Sequence, residues 1–301
     1  MSRVIDMELS LPHSEANPDL ERISRGRPGT PFAQSLPRPE GYGFANYGNV
    51  FRSKETAPAN KGEANDGGLV RLVEDMDRAG ISRGLLVGAE NSATGRIHQA
   101  HPGRFFLFTT FDPFDGMRAV REFERLVKEE GANGLRLSAL YNGVPANDRR
   151  YYPLYAKAAE LDVPVRIYTA MNYANDRPYD LGHPRYLDDV AIDFPELRIV
   201  AGLAGWPWVN EMVGLLRRHP RLYVDTAAHH PRYFSQPGSG WEQFLQFGNT
   251  LLQDKVMVGL SRYLFGTSFE SIIGEYKQLP LKEKVIEKWL YGNAAEFFRL
   301  N

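Results

Sequence analysis

The chain contains no cysteine. That excludes disulfides, thiolate metal sites and cysteine nucleophiles, and leaves oxygen, imidazole and guanidinium groups to carry any chemistry. It has no excess of charge of either sign: 36 lysines and arginines stand against 37 aspartates and glutamates, so no overall field draws nucleic acid or an anionic membrane. No run approaches the ~18 consecutive apolar residues of a membrane span, and the N-terminus lacks the basic segment and apolar core of a signal peptide. These absences lead us to expect a cytoplasmic protein with a small-molecule partner, no nucleic acid and no membrane, and leave a homo-oligomer open. A Gly-rich phosphate turn of the form G-x-G-x-x-G after the first strand is missing as well.

What is present is an alternation. After an apolar strand at VIDMELSLP, residues 13–67 are rich in Pro, Gly, Asn and charge, with Tyr42, Phe44, Tyr47 and Phe51 scattered among them. The segment exceeds the ~12–15 residues usual for an unstructured connection, and its aromatics favour an ordered lid over disorder. From residue 68 onward, helices such as AVREFERLVKEEG alternate with apolar strands such as ANGLRLSAL, VPVRIYTA, LRIVAGLAG, RLYVDTAAHH and KVMVGLS. Eight strands with helices between nearly all of them predict an α/β fold, a (β/α)8 TIM barrel over residues 1–301 with a long lid-like insertion after strand 1. The competing open doubly wound sheet usually carries the phosphate turn that is absent here. A barrel places functional side chains at the C-terminal ends of its strands.

Several of those strand ends carry polar groups. Glu8 and Ser10 are two residues apart, so in a regular strand they share a face. If Leu135 and Leu137 face the helices, Arg136 and Ser138 point inward. HHP at 229–231 follows strand seven directly, and imidazole is the commonest general acid or base at neutral pH.

VIDMELSLP resembles a first strand of the form I-D-x-H-x-H, VPVRIYTA a fifth strand ending in histidine, FPELRIVAGLAGWPWV a sixth-strand segment with H-x-G-x-P-W, DKVMVGLSRY an eighth strand with G-[ST]-D-Y, and GNAAEFFRL a C-terminal G-N-A helix. Together they resemble the amidohydrolase superfamily, in particular the amidohydrolase-2 branch related to aminocarboxymuconate semialdehyde decarboxylase. The resemblance implies a barrel whose strand-end histidines and aspartate hold one or two divalent metals. In this chain those places hold Glu8, Ser10, Tyr168, Leu203 and Ser261. A zinc site needs three protein ligands from Cys, His, Asp or Glu, and a lone Glu8 does not make one, so no metal and no other cofactor is expected.

If Tyr168 takes the inward position that the resemblance implies, Arg166 points inward too and Val165 and Ile167 face the helices. Buried guanidiniums require anions. Glu8, Asp225 and Glu90 are candidate partners, as is a substrate carboxylate gripped by the bidentate fork of arginine. Arg262 adds a third cation at the same rim. For each arginine an internal salt bridge or an outward strand face is the structural alternative. The candidate catalytic residues are therefore Glu8, Asp225 and His229 as proton-transfer groups and Tyr168 as a hydrogen-bond donor to a carbonyl. Ser10, Arg136, Arg166, Trp206, Ser261 and Arg262 are candidates for substrate binding. The expected activity is a metal-independent hydrolase acting on a small anionic, carboxylate-bearing or lactone substrate. The alternatives are a decarboxylase or other lyase, a lactone isomerase, or a non-catalytic ligand-binding barrel.

Overall fold

The computed structural model describes residues 3–10, Tyr42 and residues 66–300. The lid expected over residues 13–67 thus lies outside the described residues, apart from Tyr42 and the first two residues of helix α1. Eight parallel strands follow one another in sheet order: β1 (Val4–Ser10), β2 (Ile81–Val87), β3 (Phe105–Thr110), β4 (Gly134–Leu137), β5 (Val165–Tyr168), β6 (Ile199–Gly202), β7 (Leu222–Asp225) and β8 (Val256–Met257). The Met7 N–H donates to the Val258 carbonyl at 2.8 Å, bringing the end of the sheet back to its beginning. The principal helices between strands are α1 (Asp66–Ala79), α2 (Thr94–Ala100), α3 (Met117–Glu129), α4 (Tyr152–Glu160), α5 (Arg185–Asp193), α6 (Val209–Arg218), α7 (Glu242–Gly248) and α8 (Phe269–Lys277). None of the described helices is long and apolar enough to cross a membrane.

Helix α3 shows why the sequence folds this way. Ala119, Val120, Phe123 and Leu126 recur at three- and four-residue spacing and are all buried, the stripe that an amphipathic helix lays on a sheet. Its exposed side carries the Glu122–Arg125 pair, and Gly131 just beyond it takes a φ of 78°, which suits glycine.

The strands carry two apolar layers and a polar one. Leu135, Leu137, Val165, Ile167 and Ile199 pack outward in the large core beneath the helices. Inside, Ile5, Met7, Phe106, Phe108, Val200 and Met257 form a second cluster with Ala294 and Phe297 of the C-terminal segment, where Phe298 stacks on Phe106 at 3.7 Å. The barrel interior is therefore hydrocarbon near the strand starts, and charged side chains are displaced toward the strand ends.

Strand β1 departs from simple alternation. Its pairing with β2 shifts register between Asp6 and Leu9, so Met7 enters the inner apolar cluster while the next residue, Glu8, reaches Arg166 across the barrel. The irregularity is pinned by Asp6, whose Oδ1 accepts the Glu8 N–H at 2.9 Å and the Leu260 N–H at 2.8 Å. Such a bulge re-aims a side chain beside a functional site.

Candidate active site

Strand β5 supplies the central group. Arg166 is 2 % exposed; its Nε donates to Asp225 Oδ2 at 2.7 Å and its Nη2 to Asp225 Oδ1 at 3.2 Å. Nη2 also lies 2.6 Å from Glu8 Oε2, a close ion pair whose alignment falls outside that of a hydrogen bond. Burial pulls the guanidinium pKa down, but Asp225 and Glu8 outweigh it and hold the group protonated. Gly202 on the neighbouring strand makes room: a Cβ there would stand 3.2 Å from the Arg166 Cζ.

The two carboxylates have different freedom. Asp225 is fully buried, and its Oδ1 also accepts the N–H groups of Leu203 and Ala227, each at 3.1 Å. With Arg166 on both oxygens it has little capacity left to move a proton. Glu8 keeps 17 % of its side chain exposed and is the carboxylate of the pair that reaches solvent.

Arg136 lies one strand away, in register with Arg166. It is partly buried, and no carboxylate of the described residues lies within ion-pair distance of it. The phenol of Tyr141 faces it, its pKa raised by burial against the lowering pull of that guanidinium. Ser138, 1 % exposed at the end of β4, has an Oγ without a hydrogen-bond partner among the described residues.

Sequence reasoning offered Arg166 three carboxylates. The structure brings it to Glu8 and Asp225, whereas Glu90 is exposed and accepts a hydrogen bond from Ser92. Tyr168 is buried at the β5 exit, and its hydroxyl donates to the Met171 carbonyl at 2.8 Å. Trp206 lies parallel to Tyr173, with ring centroids 6.4 Å apart, and 5.8 Å from His229. Ser10 is partly buried at the end of β1, paired with Val87. Ser261 and Arg262 are engaged elsewhere: Ser261 Oγ accepts the Ala228 N–H at 2.8 Å, and Arg262 pairs with Asp75 on α1 and lies over Phe269.

Leu203, Ala204, Ala228 and Ser261 have φ of 67°, 51°, 62° and 47°, so non-glycine residues adopt left-handed backbone just after β6, β7 and β8. Each costs about 1 kcal/mol or more. Asp225 and Ser261 hold these turns through the N–H groups of Leu203, Ala227 and Ala228. The strain thus gathers at the face where a barrel carries its chemistry.

His229 follows the β7 turn. Burial lowers its pKa to about 4, against the raising effects of a hydrogen bond to the Leu203 carbonyl and of Asp225. At neutral pH the ring is uncharged. Its Nε2 is buried and has no hydrogen-bond partner among the described residues.

Asp6 is the residue that motif reading passed over. It is completely buried, and burial pushes its pKa up to about 7, against the lowering effect of its two backbone N–H donors and with smaller upward contributions from Glu8 and Asp225. A carboxyl raised in the folded state lends its full stability below its unfolded pKa near 3.8, and that stability is lost as pH rises toward 7. Asp6→Asn keeps an oxygen for both N–H groups and cannot ionise. In urea titrations from pH 4 to 8 it is expected to flatten the decline, which the single group makes as steep as about 1.4 kcal/mol per pH unit. An unchanged slope would show that Asp6 does not titrate in this window.

The positions that correspond to a metal cup do not fit a divalent ion. Leu203 presents hydrocarbon, the Tyr168 and Ser261 oxygens are hydrogen-bonded within the protein, and Glu8 and Asp225 face a guanidinium. Among the described residues no three His, Asp or Glu side chains are grouped to hold an ion.

A parallel eight-stranded barrel with a cluster of charged side chains at its strand ends defines a class of enzyme scaffold. Residues 60–300 match the family model described as amidohydrolase, and the chain belongs to that family, in its amidohydrolase-2 branch. Its fold is similar to that of an uncharacterised TIM-barrel protein from Bordetella bronchiseptica (23 % identity, TM-score 0.73, 99 % of this chain and 98 % of that one). It is also similar to 5-carboxyvanillate decarboxylase from Sphingomonas paucimobilis (18 %, 0.64, 100 % of both chains). A third similar structure is 4-oxalomesaconate hydratase from Rhodopseudomonas palustris (17 %, 0.60, 98 % and 95 %). No curated protein matches the chain.

Proposed function

We propose that the protein is a metal-independent lyase acting on a small carboxylate-bearing substrate. The observation that carries this reading is Arg136: it lies beside the fully paired Arg166 and has no carboxylate of its own among the described residues. A partly buried guanidinium without a counter-ion is suited to a substrate carboxylate. Both named relatives of assigned activity, a decarboxylase and a hydratase, favour the lyase over the lactone hydrolase that the sequence also permits.

In this reading Arg136 binds the substrate carboxylate and Glu8 moves a proton at the reacting carbon. Arg166 pairs with Glu8 and offsets negative charge that develops on the substrate. Asp225 positions Arg166, and His229 contributes an uncharged imidazole. Tyr168 and Ser10 stand at the ends of β5 and β1 on opposite sides of the mouth, while Ser261 and Arg262 act through the rim that they hold together. The test is a panel of hydroxylated aromatic acids, unsaturated dicarboxylates and lactones, assayed for CO2 release, water addition and ring opening. With an active carboxylate in hand, Glu8→Gln should lower turnover about 10²–10⁴-fold while leaving substrate affinity within a few fold. Turnover that survives Glu8→Gln, or activity confined to lactones, would overturn the reading.

A further inference from the structure

The segment after β7 builds a second feature that the charged cup does not use. Trp206 from the β6 exit, together with His230, Tyr233, Pro237 and Trp241, lines a pocket of about 410 Å³, within the range of ~300–1,000 Å³ typical of small-molecule sites. Among the described residues its lining holds no carboxylate, guanidinium or ammonium group, so neither an anion nor a cation finds a counter-charge in it. Trp241 is a fixed part of the wall: it is buried, and its ring stacks on that of Phe234 at 4.0 Å.

His230 is the oriented polar group of this lining. Its Nδ1 lies 3.2 Å from Oε2 of Glu275 on α8, the same oxygen accepts the Arg232 N–H at 3.3 Å, and Phe265 stacks on the imidazole at 3.9 Å. A carboxylate accepts hydrogen bonds and does not donate them, so Nδ1 carries the ring proton and Nε2 presents a lone pair. That nitrogen bonds to none of the described residues and, unlike the same atom of His229, keeps accessible surface. Burial lowers the pKa of the ring from its usual 6.5, against the hydrogen bond to Glu275, which leaves it uncharged at neutral pH. Ser239 is spent within its own loop: its Oγ donates to the Phe234 carbonyl and accepts the Trp241 N–H. An acceptor held in one direction inside an aromatic pocket selects a ring that brings a donor.

We propose that this pocket is a second binding site, for an uncharged aromatic group whose O–H or N–H donates to His230 Nε2. Glu275 sets the tautomer that accepts, and Phe265 holds the plane of the imidazole. The site uses neither Arg136 nor Glu8 and does not depend on what reacts in the cup.

Isothermal titration of the full chain with phenol and with anisole, which keeps the ring and lacks the donor, tests this. Phenol is expected to saturate one site and to bind about tenfold more tightly than anisole. His230→Phe, which keeps a ring to stack on Phe265, should abolish that preference. Tyr233→Ala, at an exposed position of the lining, should weaken both ligands and preserve their ratio, which guards against a His230 variant that fails to fold. In proton–nitrogen NMR spectra of the histidine side chains, phenol should move the Nε2 resonance of His230, and acetate at saturation should leave phenol binding unchanged. Equal affinities for phenol and anisole in the wild type would overturn the proposal. So would a preference that survives His230→Phe, binding of both ligands that ignores Tyr233→Ala, an unmoved Nε2 resonance, or displacement of phenol by acetate.

Discussion

Arg166→Met is expected to destabilise the protein by about 3–5 kcal/mol, the usual consequence of removing one partner from a buried ion pair. The reason is local. Asp225 is fully buried and, without Arg166, would keep only the Leu203 and Ala227 N–H groups on Oδ1, leaving Oδ2 without a hydrogen-bond partner among the described residues. Glu8 would lose its counter-ion as well. The triple variant Arg166→Met, Asp225→Asn, Glu8→Gln should recover most of the stability, since neutral groups of similar shape often replace buried ion pairs at little cost. Urea denaturation at pH 7 measures both effects. A single variant within 1 kcal/mol of the wild type would mean that Arg166 is not holding the two carboxylates together.

Arg136→Met should behave in the opposite way. Its guanidinium satisfies no carboxylate of the described residues and stands in register with another cation, so removing it should leave the urea midpoint unchanged or raise it. Affinity for carboxylates should fall by about 2–5 kcal/mol, roughly 30-fold to several thousand-fold. Calorimetric titration with benzoate, alongside a denaturation curve, reads the two together. A lower midpoint with unchanged affinity would make Arg136 a structural residue and remove the main support for an anionic substrate.

The contrast between these two arginines was partly legible in the sequence. Leu135 and Leu137 on one strand, and Val165 and Ile167 on the next, are apolar at alternate positions and pack beneath the helices, so the period of two turns Arg136 and Arg166 inward. Pairing could not be read, because whether Glu8, Asp225 or Glu90 meets Arg166 depends on barrel geometry across 59 residues of chain or more. Regular alternation also hid Asp6: its side chain bonds the backbone of its own strand, and this local bond shifts the register that periodicity assumes. Arg262 illustrates a third limit, since the left-handed turn at Ser261 directs the following residue to Asp75, and a left-handed serine has no signature in composition.

What unites these observations is a guanidinium held between two carboxylates at the place where relatives of this branch are expected to hold a metal. Manganese titration followed by electron paramagnetic resonance, on the wild type and on Glu8→Gln, tests this most directly. If Arg166 fills the cup, the signal of the free ion rises with every addition and the two proteins behave alike. One equivalent bound by the wild type and lost in Glu8→Gln would put a metal beside Glu8 and contradict it.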